Sequence, residues 1–203
     1  MEIVKENFIK HSNTPSDINE HLITLSIYAG DCETVIECGV RYCVSSWALV
    51  YGLLHNNKKS KKILLNDITE CDISYLQNTL VGTDVILKYE WINDLDLNLE
   101  HNYDMILIDT WHVYGQLKRE LEKFAPRINK YIIMHDTTVD EIYGETIRMN
   151  MNADKQSIET GFSKEDINCG LGKAIDEFLE TNKEWKIYEK FQNNNGLTIL
   201  KRR

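Results

Sequence analysis

Asp104-Met105-Ile106-Leu107-Ile108-Asp109-Thr110-Trp111-His112-Val113-Tyr114 is the most informative segment of the chain. Met105 to Ile108 is an unbroken apolar run, the pattern of a strand covered on both faces. Asp109 closes it. From Tyr114 the period changes, and Leu117, Leu121 and Phe124 recur at helical spacing. A buried strand, a short polar loop and an amphipathic helix make half of a βαβ unit.

The same unit repeats on either side. Strands are predicted at 34–39, 62–67, 84–89 and 130–135, with helices at 44–54 and at 72–80, the latter capped by Asp72. Ser16-Asp17 precedes an apolar pattern through Ile18, Leu22, Leu25 and Ala29, with Ser16 read as N-cap and Gly30 as stop. A helix at 172–179 and a strand at 185–191 follow later. Asn193-Asn194-Asn195-Gly196 is then a turn signal, and Leu197 to Leu200 returns antiparallel. Alternating strands and helices predict an α/β fold. It is a Rossmann-like, mostly parallel seven-stranded sheet with helices on both faces and a C-terminal antiparallel hairpin. One domain is expected over 1–203, with a helical cap at 1–30 and a polar, irregular insertion at 137–168. Ligands of open parallel sheets sit beyond the carboxyl ends of the strands. Asp67, Asp109 and Asp136 fall there.

Composition bounds the function. A chain of 203 residues buries roughly 70% of its unfolded surface and needs no staples. The formal charge of −9 argues against nucleic acid as partner. No apolar run reaches the ~18 residues of a membrane span, and the polar N-terminus does not read as a secretory signal. The cysteines, Cys32, Cys38, Cys43, Cys71 and Cys169, are odd in number and form no CxxC pair. Reduced thiols in a cytoplasmic setting are expected, a host cytoplasm if the chain is viral.

The turn after the first strand, Glu37-Cys38-Gly39-Val40-Arg41-Tyr42-Cys43-Val44, lacks the GxGxxG of a dinucleotide site, and the chain has no GxxxxGK[ST]. The turn resembles motif I of class I S-adenosylmethionine-dependent methyltransferases. Ile108-Asp109-Thr110-Trp111-His112-Val113-Tyr114 with Met134-His135-Asp136 resembles the IDxxHxY…HD signature within that class. That signature marks a group of macrolide-sugar and rhamnosyl O-methyltransferases and cephalosporin-hydroxylase-like proteins. SDINEHL (16–22), VRYCVSSWAL (40–49), HDTTVDEIYGE (135–145) and NNNGLTIL (193–200) are similar to a subfamily seen in giant viruses and some bacteria. Two positions depart: Cys43 and Thr110 stand where such enzymes often carry glycine.

The resemblance implies that Glu37 and Gly39 shape the amino-acid end of a cofactor pocket. The alternative for Glu37 is a carboxylate capping the N-terminus of the next helix. Asp67 is placed to accept ribose hydroxyls, or else to cap the Asp72 region. Asn93 and Asp94 would border the adenine. Asp109 and Asp136, on neighbouring strand ends, are a candidate pair for Mg²⁺. His135 is a third candidate, although successive strand residues point to opposite faces. Methylating an alcohol needs a base, a metal, or both. His112, three residues after Asp109, suits the base, with Tyr114 in support. Asn19, Glu20 and His21 are candidates for a lid. Asp140, Glu141, Glu145 and Arg148 are candidates to meet the acceptor, and Trp47 and Trp185 read as packing.

The function expected is O-methylation of a sugar or glycan hydroxyl with S-adenosylmethionine, metal-assisted. The acceptor would be a sugar nucleotide or saccharide, and a homo-oligomer is compatible. The rival readings are a metal-dependent hydroxylase or hydrolase on the same sheet and a non-catalytic binding module.

Overall fold

The computed structural model describes residues 1–203. In chain order the elements are α1 (Glu2–Asn13), α2 (Leu22–Gly30), β1 (Thr34–Cys38), α3 (Val44–Leu54), β2 (Lys61–Asp67), α4 (Ser74–Thr79) and β3 (Val85–Trp91). There follow β4 (Tyr103–Ile108), α5 (Tyr114–Phe124), β5 (Ile128–His135), α6 (Glu145–Arg148), α7 (Ala153–Thr160) and α8 (Lys164–Asn168). The chain ends with α9 (Leu171–Thr181), β6 (Trp185–Phe191) and β7 (Leu197–Arg202).

The seven strands form one sheet in the order β3-β2-β1-β4-β5-β7-β6. β1 to β5 run parallel, and β7 pairs antiparallel with both β5 and β6. This is the predicted Rossmann-like sheet with its terminal hairpin. Strand order reverses between β1 and β4, which opens a crevice at their carboxyl ends.

Side-chain alternation divides the core into two layers. Val35, Ile63, Leu65, Met105, Leu107 and Ile133 face one cluster with residues of α2 and α3. Ile36, Leu64, Ile106, Ile132 and Met134 face the other, packed on Leu117, Leu121 and Phe124 of α5 and on Ile175 and Phe178 of α9. α3 is apolar nearly all round because it lies between α2 and the sheet. Its contact with α2 is so close that a Cβ on Gly52 would lie 2.1 Å from the Ser26 carbonyl oxygen.

Two expectations are corrected. The cap at 1–30 contains an additional helix, α1, and Ser16 caps no helix: its Oγ accepts from the Ile18 N–H at 3.4 Å, ahead of a short 3₁₀ turn at Asn19–His21 that leads into α2. α1 escaped pattern reading because only Val4 on it is buried. Residues 137–168 are not irregular: α6, α7 and α8 lie there. The side chains of Asn152 and Ser163 cap α7 and α8, and Gly161 (φ +74°) closes α7. These helices are too short for an apolar stripe to show.

Candidate active site

A cavity of about 740 Å³ opens at the carboxyl ends of β1, β2 and β4. Gly39, Asp67, Asn93, Asp94 and Asp109 line it, as do Trp111 and, from the insertion, Glu145 and Phe162. Glu37, His112, His135 and Asp136 do not line it directly.

At the end of β1, Gly39 has φ +94°, and a Cβ there would lie 1.9 Å from the Asp109 carbonyl oxygen. Only glycine lets the β1 and β4 ends meet. The Glu37 side chain turns the other way, under α3. It is fully buried, accepting from the hydroxyls of Ser45 and Ser46 in the first helical turn. Burial pushes its carboxyl up to about 8. Glu37 thus contacts the first turn of α3 and does not line the cavity, where it was expected to shape the cofactor pocket. Arg41 (φ +46°) and Cys43 (φ +59°) are both left-handed, a conformation that disfavours side chains with a Cβ.

Asp67 secures that loop. Its Oδ2 accepts from the Val40 and Arg41 N–H groups at 2.9 and 3.0 Å. Its Oδ1 accepts from the Thr69 N–H and hydroxyl, both at 2.8 Å. Burial would raise its pKa, but these donors outweigh burial and lower it. All four acceptor positions of the carboxylate are engaged, so a ribose hydroxyl would have to share one or displace Thr69.

After β3, Asn93 Oδ1 accepts from the Leu95 N–H at 2.9 Å and caps a short turn. Asp94 is buried, and so is Glu120, a residue the sequence pattern did not single out. Gln116 donates to both, at 3.0 and 2.9 Å. Thr110 donates to Glu120 at 2.5 Å, which gives the departure from glycine there a purpose. Burial, then the charge of Asp94, pushes the Glu120 carboxyl well up. One proton shared by the pair accounts for two oxygens otherwise without partners, Asp94 Oδ2 and Glu120 Oε2.

At the β4 and β5 ends, two carboxylates meet two imidazoles. His112 Nε2 lies 3.1 Å from Asp109 Oδ1, and its Nδ1 lies 3.1 Å from Asp136 Oδ2. His135 Nδ1 is 3.2 Å from each of the same two oxygens. β5 ends at His135, and Asp136 has φ +56°. That left-handed residue breaks the alternation and brings both side chains to one place. Burial would raise the Asp109 carboxyl, but hydrogen bonds from His112 and His135 hold it well below the usual range. Burial would lower His135, but Asp109 and Asp136 push it up to about 11. Donor atoms of Asp109, His112 and Asp136 all lie within 4.8 Å of one another. His135, 1% exposed, touches both carboxylates from the interior.

The neighbouring candidates divide. Asp140 is held by Arg148 through bonds of 2.7 and 2.8 Å, and its Oδ2 is 3.6 Å from His112 Nδ1. The Glu145 N–H donates to the His112 carbonyl at 2.8 Å. Glu141 pairs with Lys190. Tyr114 turns away from His112 and donates to Glu177 at 2.7 Å, so its supporting role is corrected. Glu20 and His21 dock on the 193–194 turn, while Asn19 bonds within its own segment. They brace the hairpin, and the lid expectation is corrected. Trp47 and Trp185 are buried packing residues.

No protein-family model matches the chain, and no curated protein matches it in sequence. Solved structures do match. A methyltransferase from Podospora anserina, bound to S-adenosylhomocysteine, gives a TM-score of 0.61 at 13% identity over 98% of this chain and 87% of its own. An O-methyltransferase from Bacillus cereus, also with S-adenosylhomocysteine, gives 0.60 at 11% over 100% and 91%. TomG from Streptomyces achromogenes, an O-methyltransferase solved with S-adenosylmethionine, gives 0.60 at 11% over 97% and 89%. The chain has the Rossmann-like methyltransferase fold. No helix in it is long and apolar enough to cross a membrane.

Proposed function

We propose that this chain is an S-adenosylmethionine-dependent O-methyltransferase acting on a sugar or glycan hydroxyl. The observation that carries the reading is the continuity of the site. One cavity runs from Gly39 and Asp67 to Asp109, behind which stands the Asp109–His112–Asp136 cluster. Its volume suits a cofactor with a small acceptor. Gly39 gives the close backbone approach, while Asp67, Asn93 and Asp94 supply polar groups toward the nucleoside. S-adenosylmethionine supplies an electrophilic methyl group and leaves as the neutral thioether. The sugar specificity is supported by the DxxH…HD pattern, and a cytoplasmic setting by five free cysteines.

In this reading Asp109 receives the acceptor hydroxyl from the cavity, and His112, at 3.1 Å from Asp109 and pushed up by its carboxylate neighbours, is the proton acceptor in its neutral form. The residues also fit a divalent cation. Asp136 Oδ1 is buried without a hydrogen-bond partner, and His112 Nδ1, though 3.1 Å from Asp136 Oδ2, makes no aligned hydrogen bond. Asp109, Asp136 and His112 would hold the ion, with His135 beside them, and an ion there would lower the pKa of a bound hydroxyl. The mixed nitrogen and oxygen donors suit a transition ion better than Mg²⁺.

A second reading, a metal-dependent hydroxylase or hydrolase, is favoured by one observation: the Asp67 carboxylate is already filled by its own loop. Calorimetric titration of S-adenosylmethionine and S-adenosylhomocysteine, with added metal and with EDTA, separates the two. Micromolar binding is expected. Failure of both ligands under both conditions overturns the methyltransferase reading and favours the second.

A further inference from the structure

The charge of the cavity wall selects among acceptors, provided the methyltransferase reading holds. Asp67, Asp94, Asp96, Asp109, Glu145 and Glu159 line the cavity, with Arg41 as the basic residue among its lining. Arg41 is already paired with Asp17 at 3.2 Å. No free cation therefore faces the space where an acceptor sits. A phosphate-bearing acceptor such as a sugar nucleotide would enter a field of its own sign in a partly enclosed site, where screening is weak.

Apart from Asp109, whose partners are histidines, Glu145 is the carboxylate on the acceptor side that lacks a lysine or arginine partner. Its neighbours have them: Asp140 is clamped by Arg148, and Glu159 lies 3.6 Å from Lys155. Glu145 is also held in place. Its N–H donates to the His112 carbonyl at 2.8 Å, and its Oε2 receives the His112 N–H at 3.4 Å. That oxygen is 3.8 Å from His112 Nδ1. A group bound to Glu145 therefore lies beside the group presented to Asp109 and His112. Trp111 and Phe162, with ring centroids 5.9 Å apart, form an aromatic flank on the same cavity. The Phe162 ring already carries a cation, the Arg119 guanidinium, at 3.9 Å.

We propose that the acceptor is a vicinal amino alcohol, an amino sugar without phosphate, whose ammonium group is bound by Glu145 while the adjacent hydroxyl faces Asp109, with His112 behind it. This narrows the acceptor from sugars in general and removes the sugar nucleotides.

The test is binding of three matched probes, glucosamine, glucose and glucose 6-phosphate, to the full chain saturated with S-adenosylhomocysteine. Glucosamine should bind about tenfold tighter than glucose, the scale of one charge-assisted hydrogen bond. Its advantage should shrink as salt is raised, and glucose 6-phosphate should bind more weakly than glucose. Glu145→Gln should bring glucosamine down to the glucose level. The salt titration on the unaltered protein stands if that variant fails to fold. Equal affinities for amine and alcohol, tighter binding of the phosphate, absence of binding by all three, or a preference that survives Glu145→Gln overturns the proposal. Failure of S-adenosylhomocysteine itself to bind is a different result and removes the methyltransferase reading beneath it.

Discussion

The carboxyl ends of β1 and β2 and those of β4 and β5 both carry buried carboxylates, but these are neutralised by different means. At β1 and β2 the partners are serine hydroxyls on Glu37 and main-chain N–H groups on Asp67. Such donors do not exchange charge near neutral pH, so this end holds a shape. At β4 and β5 the partners of Asp109 and Asp136 are the imidazoles of His112 and His135. Those carboxylates push both imidazoles up from the ordinary histidine value, so the partners at this end carry charge and protons. The two ends share one cavity, and chemistry belongs to the second.

The largest effect expected from breaking this contrast is in turnover. His112→Ala should lower methyl transfer by roughly 10²–10⁴-fold, the usual worth of a positioned base. S-adenosylhomocysteine affinity should stay near that of the unaltered protein, since His112 does not line the cavity. Turnover within a few-fold of the original would take the base role from His112.

On the shape-holding side, the sharpest test is pH. Glu37 is moved by burial from an ordinary 4.5 to about 8. The folded chain then binds a proton that the unfolded chain has released, so stability is full below pH 4.5 and falls as pH rises toward 8. At about 1.4 kcal/mol per pH unit, the loss by alkaline pH is several kcal/mol as an upper limit. Glu37→Gln keeps a partner for each serine and removes the titration. Its melting temperature should gain on that of the unaltered protein between pH 5 and pH 8.5. Parallel curves would mean that Glu37 does not titrate in the fold.

Glu120 allows the same contrast at a smaller scale. Glu120→Ala leaves Asp94, Gln116 and Thr110 without a shared partner in the interior and should cost about 1–3 kcal/mol in denaturant unfolding. Glu120→Gln should cost less and, in a protein that also carries Glu37→Gln, should remove the infrared band of the protonated carboxyl. Persistence of that band would place the shared proton elsewhere.

These residues also mark how far the sequence could be read. The sheet was legible because Val35–Ile36, Ile63–Leu65, Met105–Ile108 and Ile132–Met134 are apolar strand runs separated by helical patterns, and the Asn193–Gly196 turn announced the hairpin. Asp109 and Asp136 were legible as strand-end acids. The meeting of His135 with Asp136 was not, because a left-handed residue that is not glycine leaves no mark in composition. Glu120 was hidden for another reason: with Gln116 it borders the apolar stripe of α5 at helical spacing, where buried and solvated polar residues look alike. Glu37 had two readings, and the contacts of its side chain with Ser45 and Ser46 could not be read from spacing.

The smallest expected effect concerns Arg41, and it separates main-chain from side-chain control of the β1–α3 loop. Arg41 has a left-handed backbone and an ion pair to Asp17, with side chains 64% and 47% exposed. An exposed pair of this kind contributes little, about 0.2–1 kcal/mol. The Arg41 N–H, by contrast, is bound to Asp67 at 3.0 Å, and a side-chain substitution leaves that bond in place. Arg41→Ala should therefore change unfolding free energy by no more than about 1 kcal/mol. Asp67→Asn removes charge from four hydrogen bonds at once and should cost more. If Arg41→Ala proves the more damaging of the two, the loop is held by its surface ion pair and not by the carboxylate at the end of β2.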